Sequence, residues 1–132
     1  MILLEEIAEE IIRPILPKGS VLSIKAMNTG EKSICLDAHN EQEDYGIISD
    51  INTIKHRHIN LVINWTDDYS ETESVANMIY KKISKIEDVQ YNDFFVKFIV
   101  MDDISPVDNK RNKEEIFSKI IDFEIFYEKE EF

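Results

Sequence analysis

The sequence predicts an α+β fold: an antiparallel or mixed β-sheet with two main α-helices packed on one face. Three observations carry this. Apolar residues recur at helical spacing over residues 3–15 and 70–86. They alternate at strand spacing over 56–66, 91–101 and 116–127. The strands are joined by hairpin-length or modest loops, which suits a mixed or antiparallel sheet better than repeated βαβ units.

The first helix places Leu4, Ile7, Ala8, Ile11, Ile12 and Ile15 on one stripe, with Glu5, Glu6, Glu9 and Glu10 on the other. Acids early in a helix face the positive end of its dipole. Pro14 and Pro17 mark its end, and Lys18-Gly19-Ser20 turns the chain. Strands are expected over 20–27 and 32–38, joined as a hairpin through the turn signal Asn28-Thr29-Gly30-Glu31. Residues 39–55 open on the polar run His39 to Asp44 and are expected as an exposed loop, with Ile47, Ile48, Ile51 and Ile54 open to several readings.

The strand over 56–66 puts Ile59, Leu61, Ile63 and Trp65 on one face and His58, Asn60, Val62 and Asn64 on the other. Ser70-Glu71-Thr72-Glu73 has the capping-box pattern, in which the Ser70 hydroxyl accepts from the Glu73 N–H. The helix it opens buries Val75, Ile79, Ile83 and Ile86. Over 91–101, Phe94, Val96, Phe98 and Val100 alternate with Phe95, Lys97, Ile99 and Met101. Both rows are mainly apolar, which predicts a central strand covered on both sides. Residues 102–113 form a polar, exposed loop containing Pro106, and 116–127 the last strand, with 128–132 as a frayed tail.

A length of 132 residues suits one domain, 1–132, with no internal repeat. Hydrophobic residues at 43% and charged residues at 32% are globular values. The one cysteine, Cys35, allows no internal disulfide. No apolar run reaches the roughly 20 residues of a membrane span, and Met1 to Glu6 lacks a basic signal-peptide start, so synthesis in the cytoplasm is expected.

With 27 acids against 15 lysines and arginines, the formal charge is −12. Such a surface repels phosphate, and the basic run Lys110-Arg111-Asn112-Lys113 is offset by Asp102, Asp103, Asp108, Glu114 and Glu115. Sequence-specific nucleic-acid binding is therefore not expected. The three glycines, Gly19, Gly30 and Gly46, cannot build a phosphate loop or a dinucleotide fingerprint.

Cys35, His39, His56 and His58 are the only soft-ligand candidates, and the spacing of His56 and His58 allows two imidazoles on one strand face. The paired cysteines or helical histidine pairs of a zinc site are missing. A small buried thiol and three surface or strand-end histidines is the plainer reading. Asp67-Asp68 and Asp102-Asp103 each follow a strand, and a metal-dependent enzyme would draw on them with a histidine. Adjacent acids are common in so acidic a chain, and Asp68 also suits a helix N-terminus. The phenylalanines lack the basic flanks of a base-stacking platform. The expectation is a binding and assembly part and not an enzyme, with no catalytic, metal or cofactor residues. Apolar residues on both faces of the strands point toward oligomerisation.

The order of these elements resembles a known family. A helix ending near Leu16-Pro17-Lys18-Gly19 and a short strand pair precede the strand His58 to Trp65. The capped helix over 70–86 and the closing strand Ile120 to Tyr127 follow. This looks like the tail-terminator and tail-completion proteins of tailed bacteriophages and the related minor capsid proteins of the head–tail region. The resemblance implies a structural virion protein that assembles in the bacterial host cytoplasm. There it would form a homo-oligomeric, typically hexameric, ring at the head-proximal end of the tail. Such a ring stops polymerisation of the tail tube protein and docks the head–tail connector protein. The family has no catalytic residues, and an acidic lining would let DNA pass without holding it. The alternative is an acidic interaction or inhibitor domain, immunity- or antitoxin-like, that masks a basic partner.

Overall fold

Long-range strand pairing sets the architecture. The computed structural model describes residues 2–25, 30–38, 44–48, 53–103, 106–108 and 116–129. Its strands are β1 (Val21–Ile24), β2 (Ser33–Ala38), β3 (Asp44–Ile48), β4 (Thr53–Asn64), β5 (Glu87–Gln90), β6 (Phe95–Met101), β7 (Val107–Asp108) and β8 (Ser118–Glu128). They form one mixed sheet in the order β1-β2-β4-β8-β6-β5, with β3 beside β4 and β7 beside β8. The fold is α+β.

The first helical segment, α1, is α-helical over Leu4–Glu6, widens to a π-helix over Ile7–Ile12 and tightens to a 3-10 turn over Arg13–Ile15. The wide turn is visible in the Arg13 N–H, which donates to the Ala8 carbonyl. It still gathers Ile7, Ala8, Ile11 and Ile12 into one buried stripe. The second helix, α2, spans Tyr69–Ser84 and buries Thr72, Ala76, Ile79 and Ile83. Residues of both helices join one core cluster with Ile34, Leu36, Ile59, Leu61, Ile63, Ile121, Phe123 and Ile125 of the sheet.

The long strands follow their alternation. β4 and β8 pair antiparallel from Lys55↔Tyr127 to Asn64↔Ser118, which aligns Ile59 with Phe123 and Leu61 with Ile121. On β8 the rows Ile121, Phe123, Ile125, Tyr127 and Ile120, Asp122, Glu124, Phe126 divide between a buried and a half-buried face.

Several expectations are corrected. β1 and β2 are parallel and not a hairpin, with Val21 opposite Ser33 and Ile24 opposite Leu36. Four strand residues advance only about 13 Å, a distance that a link as short as residues 25–32 can span on the return to the start of β1. Lys25 (φ 64°) and Lys32 (φ 55°) are left-handed at the two ends of that link. Within the stretch expected as loop over 39–55, β3 pairs antiparallel with the start of β4. Within 102–113, β7 pairs with β8. The strand expected over 91–101 begins at Phe95 and does not lie at the centre, a place taken by β4 and β8.

That strand is not covered on both sides either. A bulge at Lys97 sets two residues of β6 against one of β8, between the pairs Val96↔Tyr127 and Phe98↔Phe126. The core row therefore passes from Val96 to Ile99, and Phe98 and Val100 emerge on the other face, 42% and 45% exposed. The expected cap of the second helix also shifts. Asp68, not Ser70, is the N-cap, and its Oδ1 accepts from the Glu71 N–H at 3.1 Å. Asp68 sits first because Thr72, one turn on, is buried with its hydroxyl donating to the Asp68 carbonyl at 2.9 Å.

Candidate functional surface

The sheet face carrying Phe98 and Val100 concentrates the polar and aromatic side chains that the sequence singled out. β4 places His56, His58, Asn60 and Val62 on it by alternation. β8 adds Asp122, Glu124 and Phe126 in register. Register then decides the partners. His56 Nδ1 lies 2.9 Å from Glu124 Oε2, and its ring stacks on Phe126 at 5.1 Å between centroids. Phe126 stacks in turn on Phe98 at 4.6 Å. His58 Nε2 approaches Asp102 Oδ2 at 2.6 Å. Asn60 Nδ2 donates to Asp122 Oδ1 at 2.8 Å. Lys97 pairs with Glu128 at 3.2 Å and lies over the Phe95 ring.

Glu124, Asp122 and Glu128 thus each face a polar group from the adjoining strand, and Asp102 faces His58 of β4, which lies beyond β8. The result is an aromatic and aliphatic patch of Phe98, Phe126 and Val100, bordered by polar groups whose hydrogen-bonding capacity is partly spent. Among the described residues, no three of the His, Cys, Asp and Glu side chains converge on a point that could hold a metal ion.

The remaining candidates are dispersed. Cys35 sits on β2 opposite Val62 and is buried. Burial pushes its thiol pKa up and Asp37 adds to the rise, against hydrogen bonds from Ser23 and the Lys25 backbone. Such a thiol holds little thiolate and is a poor nucleophile. His39 and the run Lys110 to Lys113 lie outside the described residues. Asp67 and Asp68 are exposed at the start of α2, where Asp68 caps the helix. Asp102 is spent on His58, and the Asp103 carbonyl accepts from the Tyr80 hydroxyl. The two acidic pairs thus sit at separate elements, one at the start of α2 and one at the end of β6. Of the aromatic residues, Phe94, Phe123 and Tyr127 are core, and Phe117 packs edge-on against Tyr69.

Two features had no signal in the sequence. One is the exposure of Phe98, which depends on the bulge. The other is Arg57, 6% exposed, which donates from Nη1 to the Ile2 carbonyl while the Tyr127 hydroxyl accepts from the Ile2 N–H at 3.0 Å.

No helix among the described residues is long and apolar enough to cross a membrane. No protein family and no curated protein matches this chain.

Proposed function

We propose that the chain is a structural subunit that assembles with copies of itself into a closed ring, and that this ring is a phage tail terminator. It would sit in the virion at the head-proximal end of the tail, stop growth of the tube and dock the head connector. The observation that carries the assembly part is the apolar patch of Phe98, Val100 and Phe126 on the sheet face opposite the row that joins the core cluster. Exposed adjacent apolar side chains rimmed by polar groups mark contact surfaces. The order of elements and the −12 charge support the phage setting, since a ring around a DNA path works best with an acidic lining.

In this reading α1 and α2 lie over the same face of the sheet and leave the opposite face for neighbours. The chain is a binding and assembly part and not an enzyme.

The test is association with its partners. The purified chain is mixed with tail tube protein and with connector protein, and complexes are separated by sedimentation and viewed by electron microscopy. The proposal expects binding to both, with density at one end of each tube. A chain that binds neither refutes it.

A further inference from the structure

We infer that neighbouring copies of this chain meet head to tail, with the β6 patch of one copy against the β1 edge of the next. This rests on the ring reading, and it names the two surfaces that would join. The first observation is placement. Among the described residues the exposed large apolar side chains on strands are Val21 at 51%, Phe98 at 42% and Val100 at 45%, while Leu3 and Tyr69, also exposed, lie at the helix starts. Val21 aligns with Ser33 and so with Asn64, whereas Phe98 aligns with Phe126 and so with His56. Asn64 and His56 are both even positions of one strand, so all three exposed residues belong to the same sheet face. They stand at its opposite lateral ends, because β1 is the last strand on one side and β5-β6 the last pair on the other.

The second observation is charge. Residues 18–25, which form β1 and its flanks, hold Lys18 and Lys25 and no acid. Residues 87–103, the β5-β6 hairpin and its exit, hold Glu87, Asp88, Asp93, Asp102 and Asp103 against Lys97 alone. Two copies of a chain at −12 repel each other over most of their surfaces. The approach of one copy's basic edge to the next copy's acidic edge is the arrangement that relieves this repulsion.

The third observation concerns the cost of burial. Of the carboxylates around Phe98 and Val100, Glu124, Asp102 and Glu128 already face His56, His58 and Lys97, which lowers the cost of covering them, while the exposed Glu87, register partner of Phe98, is placed to meet a lysine of the next copy's β1 edge. The edge strands also offer backbone groups. β5 covers β6 only from Phe95 to Phe98 and leaves Ile99 to Met101 without a strand on that side among the described residues. A contact between two different surfaces is heterologous, and its repetition gives a ring where the rotation between copies closes and an open filament where it does not. A two-fold contact of like patches would instead stop at two copies.

The experiment uses variants that each spoil one surface: Val21→Asp for the β1 edge, and Phe98→Asp for the patch, with Val100→Asp as its second form. All three positions are exposed, and circular dichroism and thermal melting check that each variant is folded. Mass is read by light scattering. Wild type is expected to assemble and each variant to fall to the mass of one subunit. An equimolar mixture of Val21→Asp and Phe98→Asp is expected to give a two-subunit species, because one intact contact remains between unlike variants. Assembly of Val21→Asp like wild type, or a mixture that stays at one subunit, overturns the head-to-tail contact. A wild type that stays at one subunit at every concentration, with and without tail tube protein, overturns it as well. Tube and connector binding, measured separately, reports on the terminator reading whichever of these results is found.

Discussion

Arg57 donates from its guanidinium to the backbone carbonyl of Ile2, joining the middle of β4 to the first turn of the chain. The Ile2 N–H is held by the Tyr127 hydroxyl at 3.0 Å, so both backbone polar groups of the buried residue Ile2 are met by side chains of the two central strands. Removing the guanidinium leaves a buried carbonyl without its donor. Arg57→Ala is expected to cost about 2–3 kcal/mol, and Tyr127→Phe about 1 kcal/mol. Urea unfolding of both variants, read at constant slope, checks the values and their order.

The cap of α2 offers a separate test. Asp68 accepts from the Glu71 N–H, whereas the sequence pattern assigned that role to Ser70. Asp68→Ala should lower stability by about 1 kcal/mol. Ser70→Ala should change it by less than about 0.5 kcal/mol, as at an ordinary exposed site. The reverse ranking in a denaturant melt would return the cap to Ser70.

Alkaline pH should weaken the fold. Burial raises the thiol of Cys35 and the phenols of Tyr91 and Tyr80 above their ordinary ranges, with Asp37, Glu10 and Asp103 adding to the rises. The unfolded chain then releases these protons first, so it binds fewer protons than the native state and stability falls as pH rises. The decline begins near the ordinary thiol range, about pH 8.5, and steepens toward about pH 10. A thermal melt followed from pH 7 upward checks the slope, and a Cys35→Ala variant should flatten its first part. In the native state at neutral pH, a thiol reagent should label Cys35 only at the rate of opening.

The parts of this fold legible in the sequence are those fixed by local period. Ile59, Leu61 and Ile63 had to share a face of β4, and Ile121, Phe123 and Ile125 a face of β8, because alternation leaves no other choice. The same holds for Ile7, Ala8, Ile11 and Ile12, although the turn that carries them is wider than an α-helix. What escaped depended on contacts distant in sequence. β5 holds one apolar residue, Val89, and places Asp88 at a positive φ of 52°, so nothing in Glu87-Asp88-Val89-Gln90 announces a strand. A turn signal after β1 does not say whether the next strand runs beside its predecessor in the same sense or the opposite one. The bulge at Lys97 reverses the facing of Phe98 and Val100, and with it the surface that matters most for assembly. Of the chemistry-bearing residues, the local reading placed His58 and Asn60 on one strand face, and His56 joins them there. It could not supply their partners Glu124, Asp102 and Asp122, which pairing between strands brings to them.

The central claim is that this chain assembles with itself, and the mass of the purified protein in solution tests it most directly. Light scattering over a range of concentration and salt, with and without tail tube protein, gives that mass. The account predicts a closed species near six subunits, formed alone or on addition of the tube protein. A chain that keeps the mass of one subunit under all these conditions contradicts it.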